Sequence, residues 1–225
     1  MMKFSKFVHH VIFNDEMVIF DEVNDNFIFL SDSETLSLVT ALNTGKDSII
    51  AKKLYEQGVL EKSDHYIDDK NFNYMTSKKF GIDNYEWRTS KKYRDTKINK
   101  YRKFYSAALL SCNLSIKIIG FHKTLQIARN IRNTLFCVKK NRSDENPIHI
   151  VSNFDFVSKF LPFKNTCLEY ALTSYAVLTL LNYEPKFYIG LQKYDFLSHA
   201  WIEIDGKVIG DVPDLKDKLH IILSI

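Results

Sequence analysis

Residues 165–212 read NTCLEYALTSYAVLTLLNYEPKFYIGLQKYDFLSHAWIEIDGKVIGDV, and this stretch decides the fold. Thr166-Cys167-Leu168-Glu169 has the T-x-x-E form of a capping box, which makes Thr166 the N-cap and Cys167 the first helical residue. The helix that follows is apolar on nearly every face, through Leu168, Ala171, Leu172, Ala176, Val177, Leu178, Leu180 and Leu181. Such a helix belongs in a core. A cysteine at its start sits at the positive end of the helix dipole, which favours the nucleophilic thiolate. An inert core cysteine is the commoner meaning of a single Cys on an apolar helix. The residues downstream weigh against that meaning.

Lys186–Gln192 reads as a strand, Lys193–Ser198 as a loop, Ser198–Ile204 as a second strand and Lys207–Val212 as a third, with Asp205-Gly206 as the hairpin turn. Two registers fit. A two-residue loop sets Ile204 opposite Lys207 and puts His199 and Asp211 on opposite faces. A three-residue loop, with Gly206 left-handed in a G1 bulge, pairs Glu203 with Lys207, Ile202 with Val208, Trp201 with Ile209 and His199 with Asp211. The second makes better cross-strand pairs and is the expected register. It gives His199 an orienting carboxylate and places Trp201 on the same face as a cover against water. A cysteine at a helix start, a histidine and an aspartate then form the nucleophile–base–orienter arrangement of acyl transfer. None of the three is specific alone; their joint placement is.

Upstream, the first 60 residues read as a β-β-β-α-α unit. Val8–Phe13, Met17–Asp21 and Asn26–Leu30 are short strands separated by Asn14-Asp15 and Asn24-Asp25. Ser31-Asp32-Ser33-Glu34 starts a helix whose inward side is Leu36, Leu38, Val39 and Leu42, and Gly45 stops it. A second helix from about Asp47 turns Ile49, Ile50, Leu54 and Tyr55 inward and stops at Gly58. Residues 63–93 are polar and weakly periodic, a linker. The pattern from Asp95 to Lys140 is helical, Pro147 marks a loop, and a short helix runs from Asn153 to Leu161.

Composition narrows the function classes. Three widely spaced cysteines among 225 residues form neither a disulfide framework nor a CxxC metal knuckle, and a reducing cytoplasm is the expected location. The N-terminus carries acids and histidines where a secretory signal needs an unbroken apolar core. Phe104–Phe121 is the most apolar run, but its serines, Asn113 and Lys117 fit a buried or membrane-surface helix rather than a spanning one. Between Lys78 and Lys103 there are ten basic residues against three acids. That run reads as a solvated helix face or the docking site of an acidic partner. No nucleic-acid-binding motif accompanies it. There is no G-x-x-x-x-G-K-S/T loop and no metal-ligand spacing.

The segment from Asn165 to Ile225 resembles the B proteins of lasso-peptide biosynthesis, the transglutaminase-like leader peptidases, and in particular those of the microcin type. The residues carrying the likeness are Cys167 on its helix, Phe187-Tyr188-Ile189-Gly190-Leu191-Gln192, Ser198-His199-Ala200-Trp201-Ile202-Glu203 and Gly206–Asp211, followed by Pro213 and Asp217-Lys218-Leu219. Two positions depart from the family pattern: Gly210 stands where relatives often have Asn before the aspartate, and Asn165-Thr166 precedes Cys167 where a basic residue is common. The N-terminal unit is similar, more weakly, to the winged-helix-like modules that recognise leader peptides. Residues 63–150 match poorly.

The resemblance implies an α+β chain: a leader-recognition module over residues 1–70, a linker over 71–94 and a papain/transglutaminase-like cysteine peptidase over 95–225. It implies Cys167, His199 and Asp211 as catalytic residues, the backbone N–H of Cys167 as oxyanion donor with Asn165 as a second, and leader removal from a lasso precursor. The leader is expected to add as a strand beside Asn26–Leu30 near the second helix, with Phe27, Phe29 and Lys53 as contacts. No cofactor is expected in this chain; any ATP dependence would come through an asparagine-synthetase-like cyclase partner. A transglutaminase using the same residues and a non-catalytic leader-binding scaffold are the alternatives.

Overall fold

The computed structural model describes residues 1–67, 71–75, 79, 81–82, 102–136, 145–158, 161, 165–193 and 195–225. The chain divides into two compact units, Met1–Lys78 and Lys79–Ile225. Most of the basic run between 78 and 103, and residues 83–94 of the expected linker, lie outside the described residues.

The first unit holds β1 (Met2–Phe4), β2 (Val8–Phe13), β3 (Glu16–Asp21), β4 (Asn26–Leu30), α1 (Asp32–Thr44), α2 (Ile49–Glu56), β5 (Leu60–Lys62) and β6 (Tyr74–Met75). Its main sheet runs β4-β3-β2-β6, and β1 pairs with β5. The β2–β3 hairpin closes on Asn14 and Asp15, both at positive φ, because a two-residue turn between twisted strands needs two left-handed residues. Ser31 and Glu34 cap α1 reciprocally, and Gly45 ends it in the left-handed conformation. The inward faces are rotated from the sequence reading. Thr35, Leu38, Ala41 and Leu42 are buried on α1 while Leu36 is exposed. Ala51 and Leu54 are buried on α2 while Ile49 and Tyr55 face out. Thr35, Ala41 and Ala51 are small or polar residues in the buried interior, and Thr35 Oγ1 accepts the Met17 backbone N–H. Hydrophobicity ranking passes over such residues.

The second unit holds α3 (Arg102–Ile119), α4 (Phe121–Phe136), α5 (Pro147–Ser158), α6 (Cys167–Leu180), β7 (Lys186–Gln192), β8 (Leu197–Ile204), β9 (Lys207–Val208), α7 (Leu215–Lys218) and β10 (His220–Ser224). Pro147 begins α5 rather than marking a loop. Asn146 Oδ1 accepts the Ile148 N–H at 3.0 Å, and proline suits a first helical position because its missing N–H would have had no partner there. Helix α6 packs against α3, α4, α5, β7 and β8, which explains an apolar character on every side. The sheet order is β10-β7-β8-β9, all antiparallel. The C-terminal strand β10 lies outside the strands expected from sequence; its run His220-Ile221-Ile222-Leu223-Ser224 does not alternate apolar with polar, so periodicity does not separate strand from helix.

Candidate active site

Cys167 stands at the first position of α6, as the T-x-x-E signature requires. Glu169 reaches back to accept the Thr166 backbone N–H at 2.8 Å, and the Thr166 hydroxyl donates to the same carboxylate. The first α-helical bond runs from Tyr170 N–H to the Thr166 carbonyl, so the N–H groups of residues 167–169 precede the intrahelical ladder. Cys167 is half-buried. Cys112 of α3 lies nearby in the fold, donating toward the Glu169 carbonyl at 3.9 Å, and burial raises its thiol to about 11.

The β8–β9 hairpin corrects the expected register. Ile204 pairs with Lys207 and Glu203 with Val208, the two-residue loop. Gly206 is left-handed as expected (φ 75°), but Asp205 is left-handed as well (φ 50°), so Asp-Gly makes a primed turn and not a G1 bulge. The Ile209 N–H continues that register to the Ile202 carbonyl. In this register, continued extension would turn Asp211 away from His199. Instead β9 ends at Val208, Gly210 adopts φ 77°, and Asp211 returns to the His199 face. Asp211 Oδ2 lies 2.7 Å from His199 Nε2, with both side chains 3% exposed. Asp211 Oδ1 accepts the Val212 backbone N–H at 2.7 Å. The expected pairing is therefore present, made by Gly210 rather than Gly206. After Gly, Asn is the residue most at ease in that conformation.

The Cys167 side chain also acts on the His199 imidazole and favours its charged form. With Nε2 committed to Asp211, the ring nitrogen left for the thiol is Nδ1. Burial alone would lower the imidazole's pKa. The Asp211 and Cys167 contacts outweigh it and raise it to about 9.

The β8 face that carries His199 continues with Trp201 and Glu203. Trp201 is 1% exposed, stacks on Tyr188 at 5.4 Å between centroids, and donates its Nε1–H to Glu203 Oε1 at 3.0 Å. Lys216 of α7 forms an ion pair with Glu203 and lies 4.5 Å from the Tyr188 ring centroid. Gly190, the cross-strand neighbour of His199, makes room for the indole: a Cβ there would come within 2.7 Å of the Trp201 ring and 2.9 Å of Leu219 Cβ. Sequence reasoning missed this support, although Gly inside the apolar run FYIGLQ was a signal of close approach.

Asn165 lies two residues before Cys167. Its Oδ1 accepts from Nδ2 of Asn113, a residue of α3 that is 1% exposed, at 3.4 Å; its own Nδ2 is buried without a protein partner. The side chain thus has a free donor near the sulfur's end of α6.

The residues expected to bind a leader lie in the first unit. Strand β4 is at the edge of its sheet among the described residues. Phe29 and Lys53 both line a cleft of about 370 Å³ between β4 and α2, together with Asn26, Ile28, Ile50 and Gln57. Phe27 is not among its lining residues; it stacks on Phe20 at 4.7 Å.

A thiol at the start of a buried helix, with a histidine on an antiparallel sheet and an aspartate just beyond its edge strand, is the set of residue types that thiol acyl transfer uses. Residues 109–224 match the family model described as the transglutaminase-like superfamily, and the chain belongs to that superfamily. It is similar to the microcin J25-processing protein McjB of Escherichia coli, 35% identical over 75 residues. That likeness covers 33% of this chain and 36% of the relative, so the chain matches about a third of the curated relative's length. No solved structure matches.

Proposed function

We propose that this chain is a cysteine peptidase that removes the leader from a ribosomally made lasso-type precursor. The observation that supports it most is the buried His199–Asp211 contact with Cys167 on the imidazole. In this reading the Cys167 thiolate attacks the carbonyl at the leader–core junction. The Cys167 N–H and Asn165 Nδ2 donate to the oxyanion. His199 then gives its proton to the departing core amine, leaving the leader as a thioester on Cys167 Sγ. Water, deprotonated by His199, hydrolyses that thioester and frees the leader carboxylate. Asp211 fixes the ring's orientation and favours the imidazolium.

The likeness to a microcin-processing protein motivates the substrate class. The open edge of β4 beside the Phe29–Lys53 cleft suits an extended leader added as a strand. A partner cyclase using ATP would close the freed amine onto a side-chain carboxylate, in the cytoplasm. The test is incubation of purified protein with its precursor, read by mass. Wild type should yield leader and core whose masses sum to the precursor plus one water, and Cys167→Ala should yield neither. A product lighter by one ammonia would identify a transglutaminase, and undiminished cleavage by Cys167→Ala would sink the proposal.

A further inference from the structure

Helix α3 turns a polar-poor ridge to solvent. Its inward side is Tyr105, Leu109 and Asn113, all at most 1% exposed. Its outward side carries Phe104 (46% exposed), Leu110 (36%), Leu114 (44%), Ile118 (76%) and Ile119 (38%). With Ala107 and Ser111, the positions 104, 107, 111, 114 and 118 form one continuous stripe at alternating three- and four-residue steps, about 21 Å long at 1.5 Å per residue. Exposed lysines stand at both ends, Lys103 and Lys117, and Lys123 is exposed at the start of α4. From Arg102 to Phe136 the sequence has six Lys and Arg and no Asp or Glu. Lys103, Lys117 and Lys123 put positive charge on the exposed surface. Among the described residues no helix is long and apolar enough to cross a membrane.

We infer that the α3 face is a docking surface for an anionic phospholipid bilayer, with the helix lying in the interface. Apolar side chains flanked by lysines and free of acids are the combination that enters the headgroup boundary while amines meet phosphates. A ridge of separately projecting side chains needs no matching groove in lipid. The inference is independent of the acyl chemistry, since neither the ridge residues nor the three lysines belong to the candidate active site.

The test is cosedimentation of the full chain with vesicles of phosphatidylcholine alone and of phosphatidylcholine mixed with phosphatidylglycerol. The wild type should bind the mixed vesicles, and binding should fall with added salt. Leu114→Glu with Ile118→Glu should abolish binding, and Lys117→Gln should weaken it about fivefold. Melting temperature and precursor cleavage in the absence of vesicles should stay unchanged. Absence of binding to mixed vesicles would overturn the inference, as would binding that these substitutions leave intact. A native mass that drops from dimer to monomer in Ile118→Glu would assign the face to a second copy of the chain instead.

Discussion

Replacing Gly210 separates two costs that the structure sets against each other. At φ 77° a non-glycine residue pays about 1–2 kcal/mol. Relaxing that strain would swing Asp211 off His199. Raising the imidazole from 6.5 to about 9 corresponds to about 3 kcal/mol of preference for the charged ring, much of it from Asp211. The pair outweighs the strain at neutral pH. Gly210→Ala should therefore keep the pair and lose stability, lowering Tm by about 2–8 °C. Gly210→Asn should lie close to wild type, because Asn tolerates this conformation. Gly210→Val is different: a β-branched residue there is a genuine outlier, the strain exceeds the pair, and Asp211 is released. The assays are thermal melting at pH 7.5 and the alkaline limb of precursor turnover. That limb should fall near pH 9 in wild type and Ala, and at distinctly lower pH in Val. If Val kept the wild-type Tm and alkaline limb, Gly210 would not be what aims Asp211, and the reasoning would fail.

The remaining predictions address the same region. A raised histidine pKa contributes stability that is full below about 6.5 and is lost as pH rises through about 9, so Asp211→Asn should be less stable than wild type by up to about 3 kcal/mol near pH 6.5, with the gap closing by pH 9 in urea titrations. Gly190→Ala should destabilise by about 1–3 kcal/mol, because its Cβ meets the Trp201 ring and Leu219 and neither has room to yield. Glu203→Ala strands the Trp201 N–H and should cost about 1–3 kcal/mol, while Glu203→Gln should recover much of it by keeping an acceptor. Iodoacetamide at pH 7 should alkylate Cys167 well before Cys112, whose thiol stays protonated up to about 11; peptide mapping would show the order.

Much of the candidate site was legible because its signals are local. The T-x-x-E box placed Cys167 at a helix start from four adjacent residues. The His199–Asp211 pairing was also legible, but by an incorrect route. Asp205-Gly206 suits either a primed turn or a bulge, and the bulge register offers the better cross-strand pairs on paper, Glu203 with Lys207 among them. Glu203 is instead drawn inward to Trp201 and Lys216, the latter 13 residues away and on another element. Sequence adjacency cannot show that. In the first unit β2, β3, β4 and the capping of α1 are legible, while β1, β5 and β6, of two or three residues each, are not; the helix faces are offset, because Thr35, Ala41 and Ala51 are buried for their small size or hydrogen bonding rather than for hydrophobicity. The donor role of Asn165 comes from the family resemblance; the buried Asn113 that holds its side chain is 52 residues away and leaves no pattern.

The central claim is that Cys167 carries the leader as a thioester. Wild-type protein mixed with precursor and quenched in acid within the first turnover should show, by intact mass, an adduct equal to the leader acyl group. Hydroxylamine should remove it, peptide mapping should place it on Cys167, and Cys167→Ala should lack it. Precursor cleavage that proceeds with no such adduct at any quench time, or an adduct mapped to Cys112 or Cys137, would contradict the account.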